Sequence, residues 1–466
     1  MKHKNTVLLV NPPNIDEAEI DAGTIPLGLL YLQSFLKQKR FNVQLRNLYH
    51  HRTWSSVLQD LNTLEFDIVG IPVFTQQRKS ALNLASFVKK INSDAVVVIG
   101  GPHATFLDSE IIRRYRDIDY VVRSEGELTL YELLKHLEKS SISSSKDIKG
   151  LTLRGTKGNS IIRTPPRKAI SNLDILPDPE HVSETLQDSV ECESLQFHFA
   201  NERQEKEKGL IAPILTSRGC PWHRCIWCCN GAYWGKARYR SPGRVFSEMK
   251  RLSEQFGVHF FDMYDDAFTG NKSNAIKLCK LISSSKMNTR FWCSSRIGDV
   301  DSSILAALKD AGCFMISYGM ESGSQEILQN IDKGITIEQI AQVSRSTKNA
   351  GLLLRVTMCV GNPGESRKSV SDTVKLLKRI KPDRIGLFIT KVYPGTPLYY
   401  LAIEKGLLSD DYWFSSDSEL VPFYTAENSL DQLLGFMNEI LQELDGRIVN
   451  CYQSPNHNAE LSLQWT

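Results

Sequence analysis

Leu210-Ile211-Ala212-Pro213-Ile214-Leu215-Thr216, followed after Ser217 by Arg218-Gly219-Cys220-Pro221-Trp222-His223-Arg224-Cys225-Ile226-Trp227-Cys228-Cys229, is the stretch from which the fold is read. The first run is short and apolar, as a buried strand is. The second holds four of the chain's ten cysteines within twelve residues, flanked by Gly and Pro. Thiolates crowded onto one loop at a strand end can all reach a single small inorganic body, which suits ligation of a metal cluster.

Downstream the strand-then-helix pattern repeats. Ser241-Pro242 opens a helix with Val245, Phe246, Met249 and Leu252 at helical spacing. Strands are expected over 258–263, 290–295, 314–319, 352–360 and 384–391, with helices from Ser273, Ser302 and Ser369. With the strand before the cysteines this makes six βα units, which predicts a partial (β/α)6 barrel rather than a closed eightfold one. Polar residues recur at the carboxyl ends of these strands, where function is expected in such a barrel. They are the cysteine loop, Asp265-Asp266, Ser294-Ser295-Arg296, Glu321-Ser322-Gly323, Gly361-Asn362-Pro363-Gly364-Glu365 and Tyr393-Pro394-Gly395-Thr396-Pro397.

Upstream the alternation is equally regular. Strands are expected at 6–11, 42–48, 67–73, 95–99 and 120–126, with helices at 26–39, 54–64, 79–91 and 127–138 between and after them. Apolar strands alternating with amphipathic helices predict a doubly wound parallel sheet of flavodoxin-like type, covered on both faces. Ligands of such sheets sit beyond the carboxyl ends of the strands. Three loops there suit a large cofactor: Gly23-Thr24-Ile25-Pro26-Leu27-Gly28, Phe74-Thr75-Gln76-Gln77 and Gly100-Gly101-Pro102-His103-Ala104-Thr105. Glycines admit close approach of backbone to ligand, and helix N-terminal amides bind polar groups.

The 466 residues imply several domains: 1–140, a linker region at 141–207, a core at 208–400 and a C-terminal segment at 401–466. The serine run from Ser140 and the charged stretch Glu202–Lys208 read as solvated connection. Hydrophobic content of 41%, charged content of 23% and a net charge of +3 predict a globular protein with no nucleic-acid partner. No apolar run has the length of a bilayer span and no signal sequence is seen, so a cytoplasmic setting without membrane contact is expected. In a reducing compartment clustered cysteines point to metal chemistry. Cys192, Cys279, Cys293, Cys313, Cys359 and Cys451 read as small core residues.

The order Asn11-Pro12-Pro13, Pro26-Leu27-Gly28-Leu29-Leu30-Tyr31-Leu32 and Gly100-Gly101-Pro102-His103 resembles the cobalamin-binding domain of B12-dependent radical S-adenosylmethionine (SAM) enzymes. Residues 208–400 resemble the radical SAM core itself. The resemblance implies cobalamin bound by Thr24, Pro26, Gly28, Thr75, Gly100, Gly101 and His103. The Asp-x-His-x-x-Gly motif of many cobalamin domains is missing. His103 is therefore expected as a contact to the cofactor tail or a hydrogen-bonded surface residue, not as a cobalt ligand. It implies a [4Fe-4S] cluster on Cys220, Cys225 and Cys228, whose open iron holds SAM for reductive cleavage to a 5′-deoxyadenosyl radical. Asp265 and Asp266 would meet the methionine amino group, Ser294 and Arg296 its carboxylate, and Glu321 the ribose; Gly361–Glu365 matches a loop near the adenine.

The family spacing is Cys-x3-Cys-x2-Cys, whereas here it is Cys220-x4-Cys225-x2-Cys228. Pro221 and Trp227 are retained, which localises the extra residue to Trp222-His223-Arg224. Cys229 does not restore the spacing, because position 232 is Ala. A loop can absorb one residue, so the cluster is expected to be kept, a lost or altered one being the alternative. The implied function is a radical methyltransferase acting on an unactivated carbon of a small metabolite or natural-product intermediate, served by a flavodoxin- or ferredoxin-like electron donor. A cobalamin-using cyclase or rearrangement enzyme, and a non-catalytic cobalamin or Fe–S sensor, are the rivals. A methylthiotransferase is disfavoured, since the first domain lacks a second cysteine set.

Overall fold

The computed structural model describes residues 6–15, 25–138, 145–155, 160–182, 186, 210–285, 287–415, 421–444 and, by backbone alone, 448–451. Thr24, Cys192, Ser140–Ser144 and Glu202–Lys208 lie outside the described residues.

The first sheet contains β1 (Thr6–Asn11), β2 (Asn42–Asn47), β3 (Ile68–Pro72), β4 (Val96–Gly100), β5 (Tyr120–Val122), β6 (Leu151–Arg154) and β7 (Ile161–Arg163). Their order is β2-β1-β3-β4-β5-β6-β7. Pairing is parallel through β5, and β6 and β7 then add antiparallel. The sheet thus runs past residue 140, through a hairpin whose sequence sits inside the expected linker. Alternate residues of each strand enter two separate cores, Val7, Leu9 and Val98 on one face and Leu8, Val10 and Val97 on the other. That is how a sheet buried on both faces reads as a continuous apolar run.

A two-stranded ribbon, β9 (Ser217–Arg218) with β10 (Arg238–Tyr239), brackets the cysteine loop. The second sheet holds β8 (Ile211–Ile214), β11 (Phe260–Met263), β12 (Arg290–Ser295), β13 (Cys313–Glu321), β14 (Leu353–Val360), β15 (Arg384–Ile389) and β16 (Ile448–Cys451). All pair in parallel, in the order β16-β15-β14-β13-β12-β11-β8. Among the described residues the partial barrel therefore has seven strands, one more than the alternation predicts, because the C-terminal segment returns to pair with β15. Its outer face packs Phe261, Cys293, Ile316, Tyr318 and Val356 against Val245, Met249, Leu252, Ala275, Leu278 and Cys279 of the covering helices. The strand period of two then sets Asp262, Ser317, Glu321 and Arg355 on the opposite, inner face. Cys279, Cys293 and Cys313 are buried, as small core residues.

The C-terminal region belongs to the first domain's core as well as to the second. Val392, Leu398, Tyr399, Ala402, Trp413, Val421 and Tyr424 cluster with Leu8, Val69, Val97 and Ile99. Among the described residues no helix is long and apolar enough to cross a membrane.

Gly312 turns the chain into β13 with φ +92°, and a Cβ there would lie 2.0 Å from the Thr289 carbonyl oxygen. Gly312→Ala combines left-handed strain with a backbone clash, so a loss of roughly 2 kcal/mol or more is expected. A urea titration followed by circular dichroism measures it; an unchanged midpoint would contradict this account of the turn.

Candidate active site

Between the two β9 residues and the first cysteine the chain is held by charge. Arg218 donates to Glu125 Oε1 at 2.6 Å and to Glu127 Oε1 at 2.5 Å, and all three side chains are buried. Its guanidinium also lies over the rings of Tyr31 and Trp234. Arg238 of β10 donates to both oxygens of Glu125 at 2.8 Å. Tyr233 Oη reaches the Ser124 carbonyl at 3.2 Å. Glu125 and Glu127 follow β5, so the cysteine loop is fastened to the carboxyl edge of the first sheet. Burial pushes the Glu127 carboxyl up, but Arg218's charge and hydrogen bond outweigh it and hold the group below its ordinary value.

Cys220, Cys225, Cys228 and Cys229 are free, part-buried thiols. The Asn230 amide donates to Cys228 Sγ at 3.3 Å. Burial pushes the Cys228 thiol up to about 12 and raises Cys225 and Cys229, so metal ligation must displace their protons. The extra residue is absorbed outward. His223 adopts φ +44°, Trp222 Nε1 donates to the Asp332 carbonyl at 2.6 Å and Arg224 Nε to Asp332 Oδ2 at 3.0 Å. The Trp222 ring lies against Gly334, where a Cβ would meet it at 2.0 Å. Arg224 and Arg296 stand 4.9 and 4.8 Å from that ring's centroid. Among the described residues no three His, Cys, Asp or Glu side chains converge on a single ion. Thiolates that each take a different iron of one cluster stand farther apart than that, and an all-sulfur set suits such a cluster. Beside Cys225 and Cys228 a cavity of about 610 Å³ opens toward Gly395, Pro397 and Tyr400.

The strand-end residues read from sequence differ in what they do. Asp265 is buried and accepts from Thr216 N at 3.1 Å, Thr216 Oγ1 at 3.0 Å and Ser217 Oγ at 2.5 Å. Asn271, not Asp265, caps the following helix, and burial lifts Asp265 to about 6 even against these donors. Asp266 is raised by burial and bonds Asn230, beside Cys228 and Cys229. Ser294 is half-buried on β12, opposite Ser317 of β13. Arg296 donates to the Lys333 carbonyl at 3.0 Å and does not pair with Glu321. Glu321 ends β13 at a register shift with φ +67°, and its carboxylate accepts from Lys333 at 2.7 Å. The Cys359 thiol joins it by a hydrogen bond. Lys333 is unmarked in the sequence, because Ile331-Asp332-Lys333-Gly334 reads as an ordinary polar turn between helices.

In the first domain the strand order reverses between β1 and β3, the switch point at which doubly wound sheets take ligands. Phe74, just past β3, is 48% exposed there, an apolar face that fits a large planar cofactor. Pro26 caps the helix Leu27–Gln38, and beyond Gly28 there is open space. Gly100 ends β4, and Gly101 follows with φ +93°. Thr75 and His103 are engaged with each other, Nδ1 to Oγ1 at 3.2 Å. His103 is fully buried edge-on to Trp413 at 5.6 Å, which corrects its reading as a surface residue. The C-terminal segment covers it, so burial and Arg78 lower its imidazole to about 3, neutral at any ordinary pH.

Comparison with known proteins agrees with this division. A family model described as the B12 binding domain matches residues 15–134, and one described as the radical SAM superfamily matches 214–377. An uncharacterized methyltransferase of Pyrococcus horikoshii is 31% identical, over 94% of this chain and 90% of its own. The anaerobic magnesium-protoporphyrin IX monomethyl ester cyclase of Rubrivivax gelatinosus is 25% identical, over 84% of this chain and 69% of its own. Among solved structures, the radical S-adenosylmethionine methyltransferase TsrM of Kitasatospora setae, with tryptophan substrate and a SAM analog bound, superposes at a TM-score of 0.76. It is 18% identical and covers 97% of this chain and 92% of that one.

Replacing Arg218 strands the buried Glu127 carboxylate, while Glu125 keeps Arg238, so Arg218→Met is expected to cost about 3–5 kcal/mol at pH 7. The pH dependence should also invert. With Glu127 held low, the wild type gains stability above the unfolded carboxylate pKa and loses it as pH falls through the folded one. Without Arg218 burial is opposed only by a backbone hydrogen bond and the Arg238 charge, so the folded pKa of Glu127 rises and the variant becomes more stable as pH drops from 7 toward 5. Chemical denaturation at the two pH values checks the sign.

Proposed function

This chain belongs to the B12-binding radical SAM family, and on that premise we propose that it is a cobalamin-dependent methyltransferase acting on an unactivated carbon of a small molecule. The observation that carries the reading is the buried Arg218–Glu125–Glu127 junction, two residues before Cys220. It sets the cysteine loop against the carboxyl edge of the first sheet, so groups held at the two strand-end sites share one space. When bound, the [4Fe-4S] cluster and cobalamin would supply the electron for cleaving SAM and the methyl group for transfer.

The chain's own residues have distinct tasks in this proposal. Cys220, Cys225 and Cys228 hold the cluster, and Cys229 stays outside the ligand set. Asp266 faces the methionine amino group, Ser294 and Arg296 its carboxylate, and Glu321 the ribose. Asp265 acts at one remove, fixing Thr216 and Ser217 so that β9 leads into the loop at a set angle. Phe74, Pro26, Gly28, Gly100 and Gly101 rim the cobalamin crevice, with Thr24 before them and the Thr75–His103 pair supporting the loop from beneath. The domain limits 1–140, 141–207, 208–400 and 401–466 are kept as units of sequence, with β6, β7 and β16 crossing them to complete the two sheets. A flavodoxin- or ferredoxin-like donor in the cytoplasm suits a protein whose eight described cysteines are all free thiols. Methyl transfer is preferred because a relative matched nearly end to end is described as an uncharacterized methyltransferase. Ring closure is the second reading, favoured by the cyclase among the relatives.

The test is anaerobic reconstitution with iron, sulfide and hydroxocobalamin, then reduction with dithionite in the presence of SAM. Release of 5′-deoxyadenosine together with S-adenosylhomocysteine is expected; 5′-deoxyadenosine alone would favour ring closure, and neither product would defeat the enzyme reading. Alanine at Cys220, Cys225 or Cys228 should each abolish nearly all bound iron, while Cys229→Ala should retain it. Full iron in the first three variants would remove the ligand assignment.

A further inference from the structure

Lys333 is a charged side chain taken out of water beside the cysteine loop. It lies on the same Asp332-Lys333-Gly334 turn that receives Trp222 and Arg224, and it is 6% exposed. Its ammonium is 2.7 Å from Glu321 Oε1 and 5.5 Å from the centroid of Trp227, the residue before Cys228. Its carbonyl accepts from Arg296 at 3.0 Å. Burying an ammonium costs several kcal/mol, and an ion pair only breaks even against apolar packing. Stability alone is therefore a poor reason for a lysine here.

The charge has a use at the cysteines. The turn that carries it runs along the cysteine loop: the Ile226 amide, next to Cys225, donates to the Ile331 carbonyl at 3.2 Å, and the Lys333 ammonium faces the ring of Trp227, which stands between Cys225 and Cys228. A [4Fe-4S]2+ cluster on three thiolates carries a charge of −1 by formal count and gains a second negative charge on one-electron reduction. In a low-dielectric site a fixed cation favours the more negative state. We propose that Lys333, pinned between Glu321 and the Trp227 ring, is a positioning residue that raises the reduction potential of the cluster held by Cys220, Cys225 and Cys228. The step is electron transfer alone: dithionite gives one electron, the cluster takes it, and no bond forms or breaks. The inference rests on the cluster assignment made above.

The experiment is a redox titration of the reconstituted full-length chain, followed by electron paramagnetic resonance of the reduced cluster, without substrate. Wild-type iron content and signal establish the cluster first, so failure there is failure of the assignment and not of this inference. Lys333→Met is expected to hold its iron and to lower the midpoint by the equivalent of at least a tenfold change in the reduction equilibrium, about 59 mV for one electron. Lys333→Arg should restore the wild-type midpoint. Glu321→Gln, which removes the opposing anion, should raise it. An unshifted midpoint in a fully loaded Lys333→Met, or shifts of the same sign in the Met and Gln variants, overturns the proposal. If Lys333→Met loads no iron, Glu321→Gln decides: an upward shift supports the role, and no shift or a downward one refutes it.

Discussion

Arg218 carries a full charge into the interior at the junction of the two sheets, and the neighbouring geometry follows from the need to satisfy it. A guanidinium is planar and offers its donors in a fixed fork, so it fixes orientation as well as distance. Here one nitrogen takes Glu125, another takes Glu127, and the faces lie toward Tyr31 and Trp234. Glu125 in turn accepts from Arg238 and from the Ile170 amide, which ties β10 and the connecting segment to the same point. A second set, buried Arg240 with buried Glu248 and Tyr31 and half-buried Asp178, continues the junction behind the ribbon. Apolar packing would hold two sheets together without choosing an angle. Paired charges that lose several kcal/mol when misaligned choose one.

The opposite side of the junction is apolar. The chain leaves the second sheet after β15 and lays Val392, Leu398, Tyr399, Trp413 and Tyr424 into the first domain's core. Gln76, on the loop after β3, donates to Tyr393 Oη at 3.0 Å, so even the strand-end loops of the two domains touch. A polar clasp at the cysteine loop and an apolar one at the tail thus join the two domains at separate points. His103 is drawn into the second clasp rather than the ligand crevice, which is why its chemistry is silent.

The elements legible in the sequence are those whose signal is local. Strands such as Val96-Val97-Val98-Ile99 and helices such as Arg367–Ile380 declare themselves by period, and the cysteine loop by density of thiols. Partnerships across long separations carry no such signal. Asp265 looks like a ligand for the inner site, yet its donors sit 48 and 49 residues earlier at Ser217 and Thr216. Nothing near Glu321 in the sequence names its partner, and the backbone of β13 twists at a register shift and turns the carboxylate to Lys333. Gly150–Gly155 reads as a strand or short hairpin and forms β6, but β16 is short and weakly patterned, and only the edge of an existing sheet gives it a reason to be a strand.

The Cys-x4-Cys spacing finds its account in the same turn. One added residue would push the loop between Cys220 and Cys225 into the inner site if it bulged inward, toward Asp266. It bulges outward because Trp222 has somewhere to go: the bare face of Gly334, a carbonyl for its indole and two guanidiniums for its ring. The left-handed His223 costs about 1–2 kcal/mol, which a hydrogen bond and two cation–π contacts are large enough to offset. Downstream, Ile226 is fixed by its amide on the Ile331 carbonyl and its own carbonyl on the Leu398 amide, so Cys225 and Cys228 are anchored independently of the bulge. The turn at 332–334 thereby absorbs the extra length and sets the buried lysine against Trp227 of the cysteine loop, two tasks that a shorter loop would not have required it to combine.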